Sequence, residues 1–144
     1  MTRADLAAHH SRWDPPRMAR YRDVDVYGLS PNSQGLATLQ MLNILDTFDV
    51  AGMGFQSARA IHYGVEATRL AFEDRARYYA DPDFARIPTD WLLSREYAAE
   101  RARKIRPDSI LTDIRPGQAP SRGDTTYFCT ADADGMMVSF IQSN

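Results

Sequence analysis

The last twenty residues constrain the fold most, because they predict a β-hairpin that lacks neighbouring strands. Residues 125–130 are rich in β-forming types, and residues 136–141 form a second apolar run. The intervening Asp132-Ala133-Asp134-Gly135 is a strong turn signal. A lone two-stranded hairpin is at best marginally stable in water. We therefore expect the hairpin to join a larger sheet in a fold of class α+β.

The preceding residues predict helices and one pair of short strands. Thr2 and Asp5 have the spacing of a helix capping box, and residues 17–29 alternate apolar and polar types as two strands would. A helix is predicted over residues 36–48. Ser57 predicts the start of a long helix ending near Tyr79, and Ser94 the start of a last helix.

Apolar spacing and charge runs predict which helix faces are buried. In the first two long helices the expected core positions are Leu36, Leu39, Leu42, Leu45 and Phe48, followed by Ile61, Val65, Leu70 and Phe72. Gly64 costs about 1 kcal/mol relative to alanine in mid-helix, which favours close packing there. The charged runs 73–77 and 101–104 predict solvated helix faces.

Composition excludes several functional classes. The chain has 144 residues, 17 Lys+Arg and 19 Asp+Glu, and a formal charge of −2, which argues against a nucleic-acid binder. The sequence has no run of 18 apolar residues, so no membrane-spanning segment is predicted. The N-terminus lacks the apolar core of a secretory signal. One cysteine, Cys129, excludes an internal disulfide framework.

The residue types that most often carry chemistry give weak signals. His9 and His10 project about 100° apart on a helix, and His62 adds no ligand spacing, so we expect solvated or core histidines and neither metal nor cofactor. Cys129 has no basic neighbour in sequence and is expected to be a buried structural thiol. Ser33 lacks the glycines of a nucleophile elbow or a phosphate loop.

A long connector over residues 106–124 ends at a threonine pair. It contains Pro107, Pro116, Gly117, Pro120 and Gly123, which predicts a mobile segment. Cutting the Asp124–Thr125 bond would leave a hydroxyl and an α-amine on one residue, and the amine could act as a base for that hydroxyl. Alternatively, Thr125-Thr126 reflects only the β propensity of threonine.

Six ordered segments resemble one enzyme family across nearly the whole chain. They are Met1-Thr2-Arg3-Ala4-Asp5-Leu6-Ala7, Pro31-Asn32-Ser33-Gln34-Gly35, Leu42-Asn43-Ile44-Leu45, Leu70-Ala71-Phe72-Glu73-Asp74-Arg75, Asp81-Pro82-Asp83-Phe84 and Gly123-Asp124-Thr125-Thr126-Tyr127-Phe128. The sequence is similar to the γ-glutamyltransferase (γ-glutamyltranspeptidase, glutathione hydrolase) family. This resemblance implies part of a four-layer αββα N-terminal-nucleophile hydrolase fold. It also implies a precursor that cuts itself into large and small subunits.

The resemblance assigns roles to three residues. It implies that Thr125 is the nucleophile, that Asp124–Thr125 is the self-cleavage bond and that the Ser143 hydroxyl hydrogen-bonds the nucleophile. Residues 1–124 would then end the large subunit, and residues 125–144 would begin the small subunit. The implied substrate is a γ-glutamyl amide such as glutathione, with water or the amine of an amino acid or peptide as acceptor.

Two departures keep alternatives open. Tyr127 replaces a histidine common in transpeptidases, and Asn32-Ser33-Gln34-Gly35 replaces a common Ser-Ser-Gly-Gly, as in the acylase-like (cephalosporin or glutaryl acylase) branch. The arginine that holds the substrate carboxylate would precede Met1, and further substrate-binding and oxyanion-hole residues would follow Asn144. We therefore expect an incomplete enzyme or, alternatively, a non-catalytic truncated relative that acts as an interaction module. The sequence indicates no compartment.

Overall fold

The computed structural model describes residues 1–119 and 126–142. In chain order the elements are α1 (Arg3–Ala7), β1 (Arg17–Tyr21), β2 (Val24–Gly28), α2 (Gly35–Leu45), a 3-10 turn (Ala51–Met53), α3 (Ala58–Tyr78), α4 (Thr89–Leu92), α5 (Arg95–Ala102), β3 (Thr126–Ala131) and β4 (Met137–Gln142). This mixture of helices and separate antiparallel strand pairs confirms the α+β class. The sequence prediction lacked the short helix α4 and the 3-10 turn.

Local capping sets where the helices begin. The Thr2 and Asp5 side chains make reciprocal hydrogen bonds to the backbone at the start of α1, which confirms the predicted capping box. The Ser57 hydroxyl accepts from the Ala60 N–H at 3.0 Å, and the Ser94 hydroxyl accepts from the Tyr97 N–H at 3.2 Å. Both predicted N-caps are confirmed because each satisfies a backbone donor that has no helical partner.

Helices α2, α3 and α5 share the main core. Its buried members are Ile44, Tyr63, Ala67, Leu70, Ala98, Ala102 and Ile105. A smaller cluster of Leu36, Leu92 and Tyr97 joins α2 to the segment containing α4 and α5. Helix α2 contacts both α3 and α5 extensively, whereas α3 and α5 contact each other over a smaller area.

The predicted apolar stripe of α3 is wrong at three of its four positions. Leu70 is buried, but Ile61, Val65 and Phe72 are 57%, 49% and 40% exposed. On α2, Leu36 and Leu39 are buried as predicted, whereas Leu42 and Leu45 line an open groove of about 470 Å³ beside α3. The buried face of α3 instead comprises Tyr63, Glu66, Ala67, Leu70, Ala71 and Asp74.

Gly64 is not closely packed, contrary to expectation, and this makes it a site for stabilisation. Nothing among the described residues lies within 4 Å of the position that a Cβ would occupy. We expect Gly64→Ala to raise the free energy of unfolding by about 0.5–1 kcal/mol, because alanine loses less backbone entropy in a helix. Urea unfolding measures the change. Gly54→Ala is the matched control and should destabilise, since Gly54 has φ +88°.

Two hairpins flank the helical part in sequence. In the first, β1 and β2 pair from Arg17 opposite Gly28 to Tyr21 opposite Val24. In the second, β3 and β4 pair from Thr126 opposite Gln142 to Ala131 opposite Met137, which confirms the predicted terminal hairpin. Within the described ranges, no helix is both long and apolar enough to cross a membrane.

Candidate functional site

The three residues with predicted catalytic roles, Asp124, Thr125 and Ser143, lie outside the described residues. The chain on either side of them is described. Upstream, the last described residue is Ala119, and downstream β3 begins at Thr126. Gln142, which precedes Ser143, is the strand partner of Thr126. The described structure therefore ends five residues before Asp124 and resumes one residue after Thr125.

The connector approaches this region along α3. The His62 Nε2 atom lies 2.7 Å from the Arg106 carbonyl oxygen, near the start of the helix. One turn later, the Glu66 carboxylate accepts from the Leu111 N–H at 3.1 Å. Residues 106 and 111 are thus bound in order along the helix. These contacts place the described part of the connector against α3, and its predicted mobility stays a prediction.

The strongest attachment is a buried carboxylate one helical turn beyond Leu70. The Asp74 Oδ1 atom accepts from the Gly117 N–H at 2.9 Å and lies 3.2 Å from the Arg101 guanidinium. Its Oδ2 atom accepts from the Gln40 amide at 3.2 Å. Every one of these partners is a donor, so the cluster accommodates the ionised carboxylate. Asp74 is 0% exposed.

Arg101 of α5 completes the charge pair and binds the connector itself. Its guanidinium donates to the Arg115 carbonyl at 2.8 Å and to the Leu70 carbonyl at 2.9 Å. The residue is 1% exposed. A buried arginine needs a counter-charge and acceptors for its N–H groups. These contacts supply the counter-charge and two carbonyl acceptors, whereas the buried Nε atom has no hydrogen-bond partner among the described residues. Arg101 therefore joins α5, α3 and the connector at one point.

Tyr78, the last residue of α3, also binds the connector. Its hydroxyl donates to the Gly117 carbonyl and accepts from the Ala119 N–H at 3.1 Å. Together, Arg101, Asp74 and Tyr78 bind four backbone groups between residues 115 and 119. The side chains of His62, Glu66, Asp74 and Tyr78, which contact the connector from successive positions of α3, are here called the α3 track.

The electrostatics of the cluster follow from its burial. Burial raises the pKa of the Asp74 carboxyl, while the Gly117 N–H and the Arg101 charge act in the opposite direction. Burial and then the neighbouring Asp74 carboxylate raise the pKa of the Tyr97 hydroxyl. The same two influences raise the pKa of the Tyr79 hydroxyl, which donates to the Gln40 amide oxygen. Both phenols are therefore neutral at physiological pH.

Sequence reasoning missed this cluster because it assigned both charged runs to solvent. That assignment is wrong for Asp74 and Arg101, and it holds for Arg103 and Lys104, which are exposed. A signal was present in the spacing. His62, Glu66, Leu70, Asp74 and Tyr78 recur every four residues and share one face of α3.

The other chemistry-bearing residues form no site in the described part of the chain. His9 and His10 are exposed, and no group of three potential ligands among residues 1–119 and 126–142 could hold a metal ion. Ser33 bonds locally, accepting from the Gly35 N–H at 3.2 Å. Cys129 lies on β3 opposite Ser139. The predicted burial of its thiol stays a prediction, because the Cys129 side chain is not among those described.

Comparisons with known proteins agree on one family. A family model described as gamma-glutamyltranspeptidase matches residues 1–144. The glutathione hydrolase-like YwrD proenzyme of Bacillus subtilis is 41% identical over 143 residues, which are 99% of this chain and 26% of that protein.

Two solved structures resemble this protein. The gamma-glutamyltranspeptidase of Helicobacter pylori gives a TM-score of 0.77 at 33% identity, over 81% of this chain and 34% of that chain. The cephalosporin acylase of Bacillus halodurans gives a TM-score of 0.74 at 38% identity, over 99% of this chain and 25% of that chain. This chain therefore spans from about a quarter to a third of the length of these proteins.

Proposed function

The chain belongs to the gamma-glutamyltranspeptidase family, and from this we propose that it is the central part of a self-processing amide hydrolase or acyltransferase. Its α+β elements form part of an N-terminal-nucleophile hydrolase fold, as expected from sequence. The proposed substrate is a γ-glutamyl amide such as glutathione, and the acceptor is water or the amine of an amino acid or peptide. Residues 1–124 would belong to a large subunit and residues 125–144 to a small one.

The proposed chemistry begins within the chain. The Thr125 hydroxyl adds to the Asp124 carbonyl carbon, and the peptide C–N bond breaks as the hydroxyl proton passes to the departing amine. Water hydrolyses the resulting ester, leaving an Asp124 carboxylate and a free Thr125 hydroxyl. The new α-amine then serves as base when that hydroxyl attacks the substrate amide. An α-amine has an ordinary pKa of about 7.7–8.0, which suits a base at neutral pH.

The register of the terminal hairpin is the observation that best supports this assignment. Thr126 and Gln142 are directly opposite each other in an antiparallel ladder. One further step outward along each strand leads to Thr125 and Ser143. Opposite residues on adjacent strands have Cα atoms about 4.5–5.5 Å apart and side chains on one face. We propose that the Ser143 hydroxyl hydrogen-bonds the Thr125 nucleophile, and the opposition of their sequence neighbours Gln142 and Thr126 supports this proposal.

The substrate class is the least constrained part of the proposal. A glutathione hydrolase-like protein and a cephalosporin acylase both resemble this chain, and both names denote amide cleavage. The Asn32-Ser33-Gln34 segment lines a groove of about 360 Å³ that also contains Arg75 and Asp81. This groove has no contact that favours one acyl group, so γ-glutamyl transfer stays the primary proposal and acylase activity its alternative.

Self-cleavage tests the proposal directly. In a longer precursor that includes the downstream region, the wild-type polypeptide is expected to break at Asp124–Thr125, whereas Thr125→Ala is expected to stay intact because no hydroxyl can attack. Intact mass and N-terminal sequencing of the products measure the break. Thr126→Val is the matched control, since it removes the neighbouring hydroxyl and keeps a β-forming residue. Equal intactness of the wild type and Thr125→Ala would favour the non-catalytic alternative.

A further inference from the structure

The α3 track ends where the proposed self-cleavage segment begins. Gly117 and Ala119 are its last attachments, and only residues 120–124 separate Ala119 from Thr125. At about 3.3–3.6 Å per residue, Thr125 can lie no farther than roughly 21 Å from Ala119 along the chain. The position of Ala119 therefore limits where the Asp124 carbonyl can be.

We propose that Asp74, Arg101 and Tyr78 are positioning residues for self-cleavage, because they bind the backbone of residues 115–119 and so fix the approach to the Asp124–Thr125 bond. This inference rests on the proposed function. It concerns the precursor alone, since cleavage separates the connector from the Thr125 amine. The cluster therefore acts on formation of the nucleophile and not on its later reaction with substrate.

Shortening the free segment upstream of the scissile bond raises the rate of an internal reaction. Without these contacts, the next upstream attachment is Ile114, which packs against the main core. The free tether would then lengthen from five residues to ten, over positions 115–124. A longer tether costs more entropy to close and samples more orientations of the scissile carbonyl. Attack requires that carbonyl to stay about 3–3.5 Å from the hydroxyl.

The cluster is also shaped to hold a glycine at its centre. A Cβ on residue 117 would overlap the Tyr97 hydroxyl and ring. Tyr97 is 2% exposed and packs against Trp91 with ring centroids 3.9 Å apart, so it has no room to move aside. Gly117→Ala should therefore displace the connector while leaving the Asp74–Arg101 pair chemically unchanged.

The test is the rate of self-cleavage in the precursor. We expect Gly117→Ala to slow it by about 10²-fold, the effect of misplacing reacting groups by about 1 Å. Hydrolysis of a chromogenic γ-glutamyl anilide, counted per mole of free N-terminal Thr125, is expected to match the wild type. If these residues only stabilised the fold, Gly117→Ala would lower the rate of self-cleavage and the rate of anilide hydrolysis together. That result would overturn the inference. Arg115→Ala is the matched control, because its exposed side chain does not contribute to the Arg101 contact.

A second variant keeps the test decisive if Gly117→Ala fails to fold. Tyr78→Phe removes the hydroxyl that binds Gly117 and Ala119 but retains the ring against Trp91, at 5.7 Å between centroids. It is expected to slow self-cleavage by about tenfold, as loss of a hydrogen bond worth about 1.4 kcal/mol would. If the folded variants cleave themselves at the wild-type rate, this inference is overturned and the proposed function is unaffected. An uncut wild-type precursor would overturn the proposed function itself.

Discussion

Arg101→Met is expected to lower the free energy of unfolding by about 3–5 kcal/mol, the usual cost of leaving a buried charge without its partner. Methionine keeps much of the side-chain volume but removes the charge opposite Asp74 and the donors to the Leu70 and Arg115 carbonyls. Urea unfolding of the chain at pH 7 measures the loss. Arg103→Met, at an exposed position two residues away, should change stability by less than about 0.5 kcal/mol.

The pH dependence of that loss identifies its cause. Burial already raises the folded-state pKa of Asp74 above its ordinary value of 3.8, and Arg101 opposes the shift. The folded protein therefore holds this proton more tightly than the unfolded chain does. As a result, the free energy of unfolding falls as pH rises from 3.8 through the folded-state pKa. Removing Arg101 raises that pKa further, so the deficit of Arg101→Met should shrink as pH falls towards 4. A deficit independent of pH would assign the effect to lost packing.

Leu70→Ala is expected to cost about 2–5 kcal/mol in the free energy of unfolding. Leu70 is 1% exposed in the core shared by α3 and α5, so truncation leaves a cavity. Ile61→Ala on the same helix is the matched control. Because Ile61 is 57% exposed, its truncation should change stability by less than about 1 kcal/mol.

Comparing these two variants by urea or thermal unfolding tests the observed orientation of α3. The apolar spacing of the sequence placed both residues in the core, whereas the structure separates them by about half the helix surface. Equal losses of unfolding free energy in Leu70→Ala and Ile61→Ala would contradict the observed orientation. They would instead support the apolar face of α3 that the sequence predicted. A loss confined to Leu70→Ala would support it.

Features set by local chemistry could be predicted closely. Ser57 and Ser94 cap the helices that they were expected to cap, because an N-cap depends only on a hydroxyl and the next turn of backbone. The terminal hairpin was predictable since Asp132–Gly135 can turn, with Gly135 at φ +84°. The roles of Thr125 and Ser143 came from family resemblance, and they stay proposals.

The sequence by itself determined the longer helices, the two hairpins, the N-caps and the family, since these depend on neighbouring residues and ordered motifs. Only the tertiary structure decided that Asp74 and Arg101 are buried and that the connector binds α3. Burial of these two charges depends on their pairing and on backbone groups far along the chain. The Gly117 N–H, 43 residues from Asp74, donates to its carboxylate, and the Arg115 carbonyl, 14 residues from Arg101, accepts from its guanidinium. A charged side chain in sequence favours solvent, and a complete set of distant partners can reverse that preference.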